Sequence, residues 1–303
     1  MNIKLILAPI LVLISFCVFG QQDAQFSQYK TNFLVLNPAY SGSRNVLEIK
    51  ISHREQWKSF EGHPTTSTFS VQAPLRNNKV ALGAYVFSDK LGPLSNTGFM
   101  LNYAYRIRVK YSQLAFGLQG GIVQQSIDFN KLKLYDPYDY TFLNMQPSNI
   151  IPDINFGIYY LARTWYFGVS SKHLFTQENS DYSPFSVLTK HFYGVCGFTV
   201  DLSNDIVLKP SILFKYTKFA PSSIDLGSSI YIKDVISLGL SYRSNYNAII
   251  FLIELTIKKN IRLGYAYDAQ INKLSRYSGG SHELSLSFDF DIYKIDQKSR
   301  RYF

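Results

Sequence analysis

Cysteine is nearly absent, with 2 in 303 residues. Cys17 falls in an apolar leader, and past that leader Cys196 stands alone, so no internal disulfide staples the chain. Also missing beyond the leader is any second apolar run of helical length, which excludes a helical inner-membrane protein. No G-x-S-x-G, P-loop, G-x-G-x-x-G or H-E-x-x-H occurs. The histidines, His53, His63, His173, His191 and His282, are scattered, and none has a second ligand at metal spacing in the chain. The sequence therefore reads as a non-enzyme without cofactor or metal.

Aromatic residues, by contrast, are abundant: 23 Tyr and 23 Phe, with aromatics at 16% of the chain. Such a density fits aromatic girdles at two membrane surfaces. Residues 1–20 carry Lys4, an apolar run from Leu5 to Phe19, and Val18-Phe19-Gly20 before Gln21. That pattern predicts a cleaved signal peptide.

From Val46 onward the hydrophobic period is two. Phe99, Leu101, Tyr103, Tyr105 and Ile107 share one face; Gly98, Asn102, Ala104 and Arg106 share the other, with Met100 as the exception. Leu284, Leu286, Phe288, Phe290 and Ile292 likewise oppose Glu283, Ser285, Ser287, Asp289 and Asp291. Several such segments run well beyond the usual five or six residues of a strand. Strict alternation at that length is what lipid on one side and a polar lumen on the other demand. About fourteen segments occur, an even number. The fold class expected is all-β: a transmembrane antiparallel up-and-down β-barrel over 46–293, with 21–45 as an N-terminal plug and 294–303 as a basic periplasmic tail. Even-numbered gaps are short. Several odd-numbered gaps are longer, among them 58–65, 89–96, 125–153 and 175–189. Short turns on one rim and long loops on the other put both termini in the periplasm. Pro210 sits within a strand, where a bulge or a shifted boundary would accommodate it.

Residues 26–42, FSQYKTNFLVLNPAYSG, break the period. Phe26, Tyr29, Phe33 and Leu36 fall at helical spacing, and Asn37-Pro38 stops the pattern. A helix of about twelve residues is marginal alone in water, so it must bury those side chains, either in the lumen as a plug or on the periplasmic rim as a clasp. Gly42 would allow the turn into the first strand.

Charge is basic overall, 31 Lys+Arg against 21 Asp+Glu. The predicted periplasmic rim holds Arg106, Arg108, Lys110, Lys258, Lys259 and Arg262, and the tail adds Arg300 and Arg301. Such a rim suits anionic outer-membrane lipid or a docking periplasmic protein. Nucleic acid is not an expected partner, because the charge is spread round a rim. The long loop 125–153 carries Tyr135, Asp136, Pro137, Tyr138, Tyr140 and Phe142, a density of aromatics that suits either partner contact or a cover over the barrel mouth.

Asn37, Pro38, Ala39, Tyr40 and Gly42 form an N-P-A-Y-x-G motif. Arg54, Gln56 and Trp57 follow, then Gly62 and Pro64, Asp89 with Gly92, Asp136-Pro137 and His173-Leu174. In this order the motifs resemble the PorP/SprF family of type IX secretion system outer-membrane proteins. The resemblance implies a barrel in the outer membrane of Bacteroidota that works in secretion or gliding motility. It further implies partners among periplasmic and outer-membrane components of that machine, and a role in holding the C-terminal domain of a secreted, adhesin-type surface protein. The alternative reading is a channel for small or hydrophobic solutes, similar to a fatty-acid transporter. A continuous lumen would favour the channel and a plugged one the anchor.

Overall fold

The computed structural model describes residues 23–76, 78–132, 148–175, 188–218, 220–258 and 260–292. Fifteen strands form one closed antiparallel sheet: β1 (Leu47–Glu55), β2 (Thr65–Pro74), β3 (Val80–Leu91), β4 (Leu94–Val109), β5 (Ser112–Ile127), β6 (Ser148–Leu161), β7 (Trp165–Lys172), β8 (His191–Phe198), β9 (Val200–Asp201), β10 (Ile206–Thr217), β11 (Ala220–Ile232), β12 (Ile236–Arg243), β13 (Ala248–Ile257), β14 (Ile261–Gln270) and β15 (Ser281–Phe290). β8 and β9 are two stretches of one barrel strand, so the barrel has 14 spans. Closure comes from β1 pairing with β15, Leu47 opposite Phe290. No strand edge is left open to hydrocarbon.

Alternation sets the two faces. On β4, Phe99, Leu101, Tyr103, Tyr105 and Ile107 are exposed on the outer wall, whereas Met100, Asn102, Ala104 and Arg106 are buried in the lumen. Met100 belongs to the inward set by position, and it packs on Phe26 and Val35 of the N-terminal segment. An apolar side chain in a polar row thus marks where the plug touches.

Two expectations are corrected. Residues 89–96 are not a long loop: β3 and β4 run on to Leu91 and Leu94, joined by Gly92-Pro93 alone. Gly92 has φ +56° and the proline ring fixes a negative φ after it, the sign pattern of a tight type II′ turn. Pro210 marks no bulge, since β10 keeps one register against β8 and β9 on either side of it. Instead the neighbouring strand is interrupted at Thr199, beside the proline that has no N–H to donate. Asp23 and Phe290 lie toward opposite ends of the barrel. Asp23 lies beside the β7–β8 connection at the long-loop end, while Phe290 closes against Leu47 at the short-turn end.

Candidate functional site

The N-terminal segment runs down the lumen from the long-loop end to the short-turn end, and it is buried nearly all round. It is not one twelve-residue helix. A 3₁₀ turn at Tyr29–Thr31, a four-residue α-helix at Phe33–Leu36 and a second 3₁₀ turn at Pro38–Tyr40 follow one another. Asn32, at φ −130°, breaks the first from the second. With barrel wall on every side, Leu34 and Val35 are as buried as Phe33 and Leu36. Helical spacing therefore had no single apolar face to build.

One wall, from β5 to β8, receives the plug by close packing. Phe33, Tyr40, Tyr159 and Tyr166 form an aromatic cluster with ring centroids 5.2–6.3 Å apart, each pair contributing about 0.5–1.5 kcal/mol beyond its buried area. Tyr29 extends the cluster, and its hydroxyl pairs with Ser211 Oγ at 2.9 Å. Next to the rings, Asn37 Oδ1 accepts from Ala39 N at 2.9 Å, while Nδ2 donates to Ile158 O on β6 and Val169 O on β7 at 3.0 and 3.2 Å. Glycines make room for this docking. A Cβ on Gly157 would stand 2.0 Å from Asn37 Oδ1, and one on Gly117 would stand 2.1 Å from Ala39 N.

The opposite wall grips with charge. Arg54, Asp268, Glu283, Arg243, Asp225 and Lys215 form a chain of buried ion pairs near the long-loop end. Arg54 Nη2 lies 2.7 Å from Asp268 Oδ2, Arg243 Nη1 lies 3.2 Å from the same oxygen, and Lys215 Nζ lies 3.1 Å from Asp225 Oδ2. The plug backbone completes the network. Ser27 N and Gln28 N donate to the Glu283 carboxylate, and Arg243 donates to Phe26 O. Nearer the short-turn end, Arg44 and Arg262 share Glu48 and Asp289.

The N-P-A-Y-x-G residues thus lie together in the lumen. Gly42, at φ +68°, ends the plug, and its carbonyl accepts from Arg106 Nη1 at 2.5 Å. The motif residues near the first loop divide. Arg54 is in the lumen, whereas Trp57 sits at the long-loop end, edge-on to Tyr246 at 5.8 Å. Gln56 N donates to Pro64 O, and Gly62 O accepts from Gly92 N, pinning that loop to the β3–β4 turn.

Of the expected basic rim, Arg108, Lys110 and Lys258 are exposed at the short-turn end. Arg106 and Arg262 are not rim residues, because their guanidinium groups are buried by plug and lumen partners. Lys259, Arg300 and Arg301 lie outside the described residues, as do Tyr135, Asp136, Pro137, Tyr138, Tyr140 and Phe142. Residues 1–20 and the tail 294–303 lie outside them too.

Sequence reasoning did not find the cluster at the top of the plug. Asp23 meets Lys172, His173, His191 and Tyr193 there. Burial would raise the Asp23 pKa, but Lys172 and His173 outweigh it and hold the carboxyl well below the usual range. The two histidines are far apart in the chain, and only the antiparallel pairing of β7 with β8 brings their ends together.

Among curated protein sequences none matches the chain. The TodX ΔS2S3 mutant, a monoaromatic hydrocarbon channel, superimposes with a TM-score of 0.51 at 11% identity, covering 86% of this chain and 94% of TodX. Omp33 of Acinetobacter baumannii gives a TM-score of 0.48 at 7% identity, covering 82% of this chain and 100% of Omp33. At such identities the likeness concerns the barrel alone. A family model described as type IX secretion system membrane protein PorP/SprF matches residues 18–288. That span takes in the N-P-A-Y-x-G plug and every barrel strand but the last residues of β15, and the chain accordingly belongs to the PorP/SprF family of type IX secretion system membrane proteins.

Proposed function

We propose that this protein is a non-enzymatic component of type IX secretion, or of the gliding machinery that uses it. In this reading it receives and anchors a secreted, adhesin-type surface protein through its long-loop end, and docks periplasmic partners through the short-turn end. The observation that carries the reading is the filled lumen. Aromatic packing on one wall and buried ion pairs on the other hold residues 26–43 inside the barrel. A solute channel needs a continuous path through the space this segment occupies. Beside it at the short-turn half lies a cavity of about 100 Å³ lined by Lys30, Phe33, Tyr40, Lys209 and Arg262 among others.

A barrel closed in this way acts through its ends. Arg108, Lys110 and Lys258 supply exposed positive charge at one end. At the other end the stretches of chain between strands are longer: 56–64, 128–147, 173–190 and 271–280. The Tyr135–Phe142 aromatics belong to the longest of these and are the proposed cargo contact. The test is affinity purification of the tagged protein from its native outer membrane, with and without residues 133–147 replaced by a short Gly-Ser linker. The intact protein should bring down a large secreted surface protein together with secretion components. The linker variant should lose the surface protein while still running as a heat-modifiable barrel. Recovery of neither partner by the intact protein, together with swelling of proteoliposomes in small solutes, would overturn the reading in favour of a channel.

A further inference from the structure

We propose that Asp23, His173 and His191 form a binding site for a divalent transition metal of the zinc class, which clasps the start of the plug to the β7–β8 wall. One potential donor atom from each residue lies within 4.8 Å of the others. Both histidines are buried, and Asp23 is half-buried. Two imidazoles and one carboxylate are the donor set that zinc, cobalt and nickel prefer; calcium and magnesium take oxygen ligands.

What distinguishes this group from a chance meeting of charges is how the other atom of each residue is engaged. His191 Nδ1 lies 2.8 Å from Thr189 O, which as a carbonyl can only accept. The ring proton therefore sits on Nδ1, and Nε2 keeps its lone pair. That lone pair faces the plug and accepts from Asp23 N at 3.4 Å, a long bond that a metal would replace. His173 Nδ1 lies 3.0 Å from Asp153 Oδ2, and its Nε2 points at Asp23 Oδ1. Asp23 Oδ2 is taken by Lys172 Nζ and Tyr193 OH, at 2.5 and 3.2 Å. His191 and Asp23 are thus each hydrogen-bonded through one atom, and His173 Nδ1 stands against the Asp153 carboxylate without a hydrogen bond, while the other atom of each ligand turns inward, close to the outer-shell arrangement that orients metal-binding histidines and carboxylates. Asn155 adds a further support, accepting from His173 N at 2.7 Å.

The competing occupant is a proton. A doubly protonated His173 between Asp153 and Asp23, with Lys172 beside it, would hold the same groups together as an ion-pair clasp. Three protein ligands leave a fourth, open position for water in the metal-bound form, and Lys172 on Oδ2 leaves Oδ1 to coordinate. The metal form would join the start of the plug to two adjacent barrel strands at once.

The experiment uses the full-length mature protein, purified in detergent without a polyhistidine tag and stripped with chelator. Cobalt(II) is added as a spectroscopic probe, then displaced by zinc(II). One equivalent of cobalt should bind with the intense visible absorption of a four-coordinate ion, and zinc should remove it. His191→Gln should abolish the band. Asp153→Asn, which changes only a positioning residue, should weaken binding roughly 10–100-fold. Each variant is first checked for heat-modifiability on a gel; if one fails to fold, the wild-type titration and the other variant decide. No stoichiometric cobalt in the wild type would overturn the proposal and leave the proton-bridged clasp. Equal retention by His191→Gln would overturn it too, and would assign the metal to His53, His63 or His282.

Discussion

The two walls of the lumen hold the same segment by opposite means. From β5 to β8 the plug lies against glycines and tyrosines, and its grip is shape: Asn37 and Ala39 fill the space that absent side chains leave. Along β10–β12, β14, β15 and β1 the grip is charge, a chain of buried carboxylates and guanidinium groups in which Glu283 accepts from Ser27 and Gln28 N–H. The difference teaches that a barrel can seal itself in two ways. Shape resists displacement because backbone has nowhere to move. Charge resists because each buried ion depends on the next, so removing one member leaves others uncompensated.

The largest effect is expected where that dependence is greatest. Arg243 contacts Asp225, Asp268 and Phe26 O at once. Arg243→Met should cost about 3 kcal/mol of barrel stability, toward the low end for a broken buried pair because Lys215 and Arg54 still reach the two carboxylates. The measurement is urea unfolding of protein refolded into lipid vesicles, followed by tryptophan fluorescence. A loss below about 1 kcal/mol would mean that the charged wall is solvated and holds nothing.

On the shape wall the corresponding break is Gly117→Ala. The added Cβ meets Ala39 N at 2.1 Å and Pro38 C at 2.3 Å, both backbone, which cannot rotate away. Overpacking of this kind costs about 1–3 kcal/mol, and the upper end is expected. The plug should loosen from β5–β7 while the barrel still closes. Trypsin would then cut after Lys30 in folded protein, a bond the wild type protects.

How much of this was legible depends on which solvent each residue faced. Lipid outside and a polar lumen inside impose a period of two, so Phe99–Ile107 and Leu284–Ile292 could be placed without a structure. Glu283 and Asp289 were correctly set on the polar face. Their partners were not readable, because Arg54–Asp268 and Arg243–Asp225 need the closing register and the curvature of the wall. The helical spacing of Phe26, Tyr29, Phe33 and Leu36 misled for a related reason. A segment enclosed on all sides has no outward face, so apolar spacing carries no information about its backbone. Arg106 and Arg262 were read as rim charges for want of the plug, whose Gly42 carbonyl and neighbouring carboxylates draw them inward.

A smaller effect separates the motif from its surroundings. Asn37→Ala removes two donors to Ile158 O and Val169 O and the cap on Ala39 N. It should cost about 2 kcal/mol, the sum expected for a lost cap and an unmet buried carbonyl. Circular dichroism should be unchanged, since no barrel ladder is touched.

The smallest predicted effect is also the sharpest test of the contrast. Gly264→Ala on the charged wall introduces a Cβ 2.2 Å from Gln28 Oε1, nearly the same overlap as Gly117→Ala makes with Ala39 N. Here, however, the obstructing atom is the far end of a flexible side chain. Gln28 can swing aside, giving up its side-chain bonds with Ser285 Oγ and Glu283 O while its backbone N–H keeps the Glu283 carboxylate. The cost should stay at about 1 kcal/mol, the low-end worth of two hydrogen bonds. Equal losses from the two glycine variants would mean that the walls grip alike. A loss at Gly117 two or more times that at Gly264 is what backbone contact against side-chain contact requires.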